Sequence, residues 1–302
     1  MSRPPEQIAF LGFGLIGGSI ARALARPGSG PSPTGRPRLI AWTPTGNGPE
    51  RALAEGVIDR TAASPADAID GADLVVIAAP PIESIALVRR LGTDLAAHLG
   101  PECLVTDVTS TKAAIIAAAE EAGVRFVGGH PMAGRETNGY RAAADDLFVG
   151  RPWIIVSPGG DSDPSAEPVR WLARSCGARP VEMSARAHDA ATAAVSHLPL
   201  VAAAALVESV VDRGGRDWDL ARTLAASGWA NATRLALGDP RMGAGIVATN
   251  AEEIAANVRA LRDVLDGWLA AIERDGGPDV DEIERRLATV RASLQPEPEP
   301  PT

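Results

Sequence analysis

Ile8-Ala9-Phe10-Leu11-Gly12-Phe13-Gly14-Leu15-Ile16-Gly17-Gly18-Ser19 is an apolar run that ends in glycines and passes straight into a segment with helical spacing. Gly12, Gly14 and Gly17 stand at G-x-G-x-x-G spacing between that strand and that helix. The first glycine permits a tight turn, and the second lets a pyrophosphate approach the backbone. The third lets helix and strand pack closely, and the helix N-terminus stabilises the phosphate charge. Gly12, Gly14, Leu15, Ile16 and Gly17 are therefore the expected dinucleotide seat. A lone match is weak; the strand–helix–strand setting gives this one its weight.

The alternation continues outward from this turn. Arg38 to Trp42, Asp73 to Ala79, Cys103 to Val108, Arg125 to Gly128, Trp153 to Ser157 and Arg179 to Met183 read as strands. Leu15 to Ala25, Pro49 to Glu55, Ile82 to Leu99, Thr111 to Ala122 and Glu167 to Cys176 read as helices, and Pro27 to Pro37 as a loop. Nearly continuous apolar strands between helices predict an α/β fold with an N-terminal Rossmann-type, doubly wound parallel sheet. Past Ala185 the pattern changes to helices over Ala187–Val211, Leu220–Leu237, Arg241–Ala248, Ala251–Glu273 and Val280–Leu294. The first is apolar on most sides, which predicts burial against a partner helix or a second subunit. The expected organisation is a dinucleotide-binding domain over 1–185, an all-helical domain over 186–294 and a disordered Pro-rich tail over 295–302.

At 302 residues the chain has room for two domains of ~150 residues. A net charge of −9 disfavours nucleic acid and anionic membrane surfaces, so an anionic substrate needs a local cluster of positive charge. Cys103 and Cys176 have neither metal-like nor disulfide spacing, which predicts reduced thiols and no metal. No signal peptide precedes the first strand, and no apolar run reads as long enough to span a bilayer. A cytoplasmic protein without membrane or nucleic-acid partners is expected.

Sites that bind NAD usually carry an acidic residue after the second strand. Here Ala41-Trp42-Thr43-Pro44-Thr45-Gly46-Asn47 has no carboxylate. Thr43, Thr45 and Arg51 are placed to accept a 2′-phosphate, or else form an ordinary polar loop. The cofactor reads as NAD or NADP, with NADP or loose use of both slightly favoured. Pro80, which stops the Asp73–Ala79 strand, is a further cofactor contact.

Gly129-His130-Pro131-Met132-Ala133-Gly134-Arg135-Glu136-Thr137-Asn138-Gly139 puts a histidine, a fixed turn, an arginine and a carboxylate together at a strand end. Ligands of parallel sheets bind at such ends, and His130 is the candidate base. Asp107-Val108-Thr109-Ser110-Thr111-Lys112 lies at another strand end. Ser110 reads either as a helix cap or as a partner of the imidazole or a substrate hydroxyl. Lys112, the only lysine, reads as orienting the loop or facing phosphate or carboxylate. Ser196-His197-Leu198-Pro199 interrupts an apolar helix, where the proline predicts a kink. His197 is a pocket residue or a satisfied core histidine. Arg234 suits bidentate carboxylate binding, with a surface salt bridge as the alternative.

Over residues 8 to 260 these segments resemble the prephenate/arogenate dehydrogenase family of tyrosine biosynthesis. The strings that carry the resemblance are Gly12–Ser19, Ala78-Ala79-Pro80, Asp107–Lys112, Gly129–Glu136, His188-Asp189, Ser196–Pro199 and Thr233-Arg234. The resemblance implies a dinucleotide-binding domain followed by a helical dimerisation domain, hence a homodimer. It also implies oxidative decarboxylation of a small carboxylate substrate. His130 would take the ring-hydroxyl proton, with Ser110 as its partner. Arg234 would anchor a substrate carboxylate, His197 and Ser196 would line the pocket, and Glu136 would stand at its mouth. Two departures, Asn231 in place of an acidic residue and Gly243 in place of a tryptophan, bear on the pocket edge. Rival readings are an amino-substituted ring substrate, another Rossmann oxidoreductase and a non-catalytic dinucleotide sensor.

Overall fold

The computed structural model describes residues 4–26, 36–135, 137–160 and 162–294. Glu136, most of the loop predicted over Pro27–Pro37 and the tail over 295–302 lie outside the described residues. The strands are β1 (Gln7–Leu11), β2 (Arg38–Trp42), β3 (Arg60–Thr61), β4 (Leu74–Ile77), β5 (Leu104–Asp107), β6 (Phe126–Pro131), β7 (Pro152–Val156) and β8 (Arg179–Glu182). They form one sheet in the order β3-β2-β1-β4-β5-β6-β7-β8. The helices α1 (Leu15–Leu24), α2 (Asn47–Ala54), α3 (Pro65–Ile69), α4 (Pro81–Leu91), α5 (Ala113–Glu121) and α6 (Glu167–Ser175) connect them.

Alternate strand residues feed two cores. Ile8, Phe10, Leu39, Ala41, Leu74 and Val76 pack on one face, and Ala9, Leu11, Ile40, Val75 and Ile77 on the other. A sheet covered on both faces requires strands without polar alternation, which is why they read as unbroken apolar runs. The sheet is parallel from β3 to β6, but β7 runs antiparallel to β6 and parallel to β8. This departs from the all-parallel prediction. Among the described residues the β6–β7 link holds a 3₁₀ turn (Tyr140–Ala142) and no crossover helix, so the chain returns beside the strand it left.

Two compact units, residues 1–254 and 255–302, divide the chain. The first ends in α7 (Ala185–Thr192), a π-helical turn (Ala193–His197), α8 (Leu198–Leu224), α9 (Ser227–Thr233), a 3₁₀ turn (Arg234–Leu237) and α10 (Pro240–Thr249). α11 (Ala251–Ile272) carries the chain into the second unit, which ends in α12 (Val280–Ser293). There Asp279 caps α12 by accepting from Glu282 N (3.1 Å), and the Arg286 guanidinium lies over the Trp268 ring (5.7 Å).

Several expectations are corrected. The Ile82–Leu99 helix stops at Leu91, and the Leu220–Leu237 helix is broken after Leu224. Ala185–Val211 is long and apolar enough to cross a bilayer by length and composition, where no such run was expected. It carries buried His188 and Asp189 near its start, hydrogen-bonded to the beginning of α5 and to β6, while only 22% of its most apolar window is buried. The predicted kink at Pro199 takes the form of the π turn. Proline lacks the N–H that would reach back one turn, and the helix widens to absorb the loss.

Candidate active site

The glycine turn is built as its spacing demands. Gly12 has φ +93°, and a Cβ there would lie 2.5 Å from the Ala78 carbonyl oxygen, so only glycine fits. Nothing lies within 4 Å of a Cβ built on Gly14, leaving its backbone open to a ligand. A Cβ on Gly17 would press on Ala78 and Gly12 at 3.1 Å, so Gly17 serves close packing. A cavity of about 1220 Å³ opens over this turn, lined by Gly12, Gly14, Thr43, Thr45, Arg51 and Pro80 among others. Leu15, Ile16 and Gly17 lie beside the turn but do not line it. Open backbone at a helix N-terminus beside a cavity of this size fits a dinucleotide.

Arg51 is held from behind. Its Nε donates to Glu55 Oε1 (2.9 Å), and Glu55 Oε2 accepts from the Tyr140 hydroxyl (2.8 Å) and Arg22 Nη2 (2.6 Å). The Tyr140 hydroxyl, then Arg51, hold the Glu55 carboxyl below its usual range. Among the described residues neither Nη of Arg51 makes a hydrogen bond, so the fork is left for a ligand. Tyr140 stacks on Phe13 of the glycine turn (5.5 Å), which ties this network to the pyrophosphate seat.

His130 lies inside β6, two residues beyond the predicted strand end, and is 9 % exposed. Its Nδ1 is 2.8 Å from His188 Nε2, and His188 Nδ1 is 2.7 Å from Asp189 Oδ1. Asp189 also accepts from the N–H groups of Lys112 (2.8 Å) and Ala113 (2.8 Å) at the start of α5. These partners fix the protons. A carboxylate accepts only, so His188 Nδ1 carries hydrogen and its Nε2 accepts. His130 Nδ1 therefore donates, and His130 Nε2 keeps its lone pair. Burial alone would raise the Asp189 carboxyl, but the bonds from His188, Ala113 and Lys112 hold it below its ordinary value. Burial first, then His188, Lys112 and His197, press the His130 pKa well below the usual imidazole value. The ring is a neutral base.

His197 has the opposite arrangement. It is buried in the π turn, and Asn250 Nδ2 donates to its Nδ1 (3.2 Å) while also donating to the Asp189 carbonyl (2.9 Å). The ring proton therefore sits on Nε2, a buried donor with no well-aligned partner among the described residues. The Ser110 carbonyl is near enough to favour the charged ring, but burial dominates and lowers the pKa to about 4. His197 is thus a neutral donor. It lines a second cavity of about 940 Å³ with Ser196, Arg234, Arg135, Met242 and Gly243.

His197, Ser196 and Arg234 thus line the second cavity, and His130, which lines neither cavity, lies close enough to His197 for the two rings to interact electrostatically. Ser110 is half-buried after β5 with its carbonyl near His197, and its hydroxyl makes no hydrogen bond among the described residues. Of the two readings of Lys112, orienting the loop or facing phosphate or carboxylate, its full burial and its bonds to Asp107 and the Gly129 carbonyl agree with the first, and it faces no ligand cavity. Sequence reasoning missed the roles of His188, Asp189 and Asn250. The adjacent His-Asp pair opening an apolar helix was the available signal for the first two. His98 is exposed on a 3₁₀ turn.

Residues 42–182 match the family model of the prephenate dehydrogenase nucleotide-binding domain, and residues 184–287 that of the prephenate dehydrogenase dimerization domain. Prephenate dehydrogenase of Bacillus subtilis is 33% identical over 278 residues, covering 91% of this chain and 70% of that protein. The structure of A. aeolicus prephenate dehydrogenase with hydroxyphenyl propionate and NAD+ superposes with a TM-score of 0.81 at 26% identity, covering 98% of this chain and 99% of that one. Synechocystis arogenate dehydrogenase gives 0.73 at 26% identity, covering 96% and 100%.

Proposed function

The chain belongs to the prephenate dehydrogenase family, and we propose that it converts prephenate or arogenate to the 4-hydroxyphenyl product by oxidative decarboxylation in tyrosine biosynthesis. It is an oxidoreductase that uses a nicotinamide cofactor. The observation that carries the residue-level reading is the line Asp189–His188–His130, which leaves a neutral, lone-pair nitrogen on a ring that interacts with His197, a wall of the cavity that Arg234 also lines.

When bound, the nicotinamide supplies the hydride acceptor. Gly12, Gly14, Pro80, Thr43, Thr45 and Arg51 would hold the dinucleotide, on a turn shaped by Leu15, Ile16 and Gly17. His130 Nε2 takes the ring-hydroxyl proton as the C–H bond on the same carbon breaks, a role worth ~10²–10⁴-fold in rate. Carbon dioxide then leaves the opposite ring carbon, and its bonding electrons pass through the ring to the oxygen. His130 returns the proton to the resulting phenolate and ends the cycle neutral. While the ring is protonated, Asp189 stabilises it through His188. His197 donates to substrate oxygen, Ser110 supports the hydroxyl, Ser196 lines the rim, and Arg234 grips the side-chain carboxylate with its planar fork. The leaving carboxylate goes unpaired, because binding its charge would oppose its departure.

We assign cofactor binding to residues 1–185 and substrate binding and dimerisation to 186–294, in a cytoplasmic homodimer. Val195, Leu220, Leu224 and Leu237 are 64–78% exposed, as suits a face covered by a second copy. The buried thiols support a reducing compartment only in being unpaired; burial pushes the Cys103 thiol up to about 12, which keeps it inert.

For the cofactor, the stretch 41–47 without a carboxylate and the fork of Arg51 favour NADP, while Glu50 in the first turn of α2 also lines the cavity. Arg51→Ala is expected to weaken NADP binding about 10- to 100-fold, the equivalent of one charge-assisted contact, and to leave NAD binding unchanged. Calorimetric titration of both cofactors checks this, and equal losses for the two would remove the assignment. The reaction itself is tested by reduced-nicotinamide absorbance, with prephenate and arogenate each offered with NAD and NADP. Turnover is expected with at least one pair, fastest with NADP. Silence in all four, from folded protein that binds cofactor, overturns the reading.

A further inference from the structure

The mechanism leaves one buried charged pair without a task. Lys112 and Asp107 are both 0 % exposed and ion-paired. Burying two charges costs more than an apolar pair of the same volume, so stability alone does not account for them.

Their partners show what they hold. The β5–β6 ladder ends at Thr106↔Val127, while β6 runs on to Pro131 with only β7 beside it. Past that point side chains replace the ladder. Gly129 N donates to Asp107 Oδ1 (3.1 Å), and Lys112 Nζ donates to the Gly129 carbonyl (2.7 Å). The pair thus grips both polar groups of the residue before His130. Asp107 is itself fixed by Thr109, whose N–H and hydroxyl both donate to it. A Cβ on Gly129 would lie 2.6 Å from the Asp107 carbonyl oxygen, so the close approach depends on glycine. At its other end, Lys112 gives its backbone N–H to Asp189 (2.8 Å), the far terminus of the line that orients the His130 ring.

We propose that Lys112 is a positioning residue for the reaction, clamping with its side chain the main chain that carries His130 and with its backbone the carboxylate that orients the ring. Its charge has a second effect. The groups facing His130 are His188 and, through it, Asp189 on α7; His197 on the π turn; and Lys112 at the start of α5, backed by Asp107 on β5. Among these Lys112 is a nearby cation that disfavours a proton on the imidazole.

The inference rests on His130 as the base, and the test separates the two. Lys112→Met is expected to lower kcat about 10- to 100-fold, the scale of a misplaced catalytic group, with cofactor Kd unchanged. It is also expected to move the acid limb of kcat/KM up by about one pH unit, because the imidazole loses a neighbouring cation and binds its proton more readily. A purely structural role would leave that limb in place. Lys112→Met/Asp107→Asn keeps the volume without an unpaired buried charge, and carries the test if the single variant does not fold. Its kcat falls similarly, and its limb moves the same way by less. Folded variant with kcat within about twofold of the parent and an unmoved limb overturns the proposal. An active His130→Asn enzyme would instead overturn the base; an inactive one beside a parent-like Lys112→Met would overturn only the role of Lys112.

Discussion

His130→Asn is expected to lower kcat by about 10²–10⁴-fold while cofactor affinity stays within about twofold of the parent. Asparagine can still meet His188 Nε2 where the imidazole Nδ1 now sits at 2.8 Å, so the strand keeps its local partner. What it lacks is a basic nitrogen on the far side. His130 does not line the cavity over the glycine turn, so cofactor binding has no reason to change. The pH profile follows from the same ring. Its pKa is depressed by burial, then by His188, Lys112 and His197, and the neutral form is the active one. The parent therefore keeps its activity below the ordinary imidazole value and loses it as pH falls through the lowered pKa. In the variant that limb vanishes. Steady-state kinetics with a cofactor titration decides the matter, and a kcat within tenfold of the parent would assign the proton to another group.

Asp189→Asn is expected to cost on the order of 10²–10⁴-fold in kcat, the scale known for a histidine base held in the wrong tautomer. The carboxylate now accepts from three donors: His188 Nδ1 and the N–H groups of Lys112 and Ala113. A carboxamide has one accepting oxygen and adds an N–H₂. Turned towards His188, that group donates to Nδ1 and moves the His188 proton to Nε2. His130 Nδ1 must then accept, and its own proton moves to the nitrogen that should receive one from substrate. The geometry survives while the base is blocked. The signature is a fall in kcat with little change in cofactor Kd and only a modest loss of thermal stability, of about 1–2 kcal/mol for the bond from Lys112 N–H that is lost when the amide NH₂ takes the place of Oδ1. Full activity would break the link between Asp189 and the base.

The parts legible in the sequence are those whose cause is local. Gly12, Gly14 and Gly17 announce a turn because one residue type alone fits each position. His130 announces itself because it follows two glycines near a strand end. The helix over 187–211 was visible from its alanine-rich run, and Pro199 marked a break in it. The kind of break was not legible, because a kink and a π turn answer the same missing N–H. The partners of Lys112 were not legible, because they are set by tertiary structure. Asp107 and Gly129 meet its ammonium only once β6 has run past the end of the β5 ladder. That overrun in turn depends on β7 returning antiparallel, which no local pattern in β6 encodes. The role of His188 was not legible for the same reason: its neighbour in sequence orients it, but its partner in space is 58 residues away.

β6 is shared between a parallel neighbour on one side and an antiparallel neighbour on the other. Past Val127 only β7 lies beside β6, so His130 is held by β7 on one side and, through Gly129, by the Lys112 and Asp107 side chains on the other, and it comes free only when both let go. That double hold makes local release rare, and the amide protons of Gly129 and His130 should exchange more slowly than those of the edge strands β3 and β8. The fold therefore ties catalytic competence to integrity in an all-or-none way. Heat, denaturant or a destabilising substitution elsewhere lowers how many molecules work, while each molecule that stays folded turns over at its full rate.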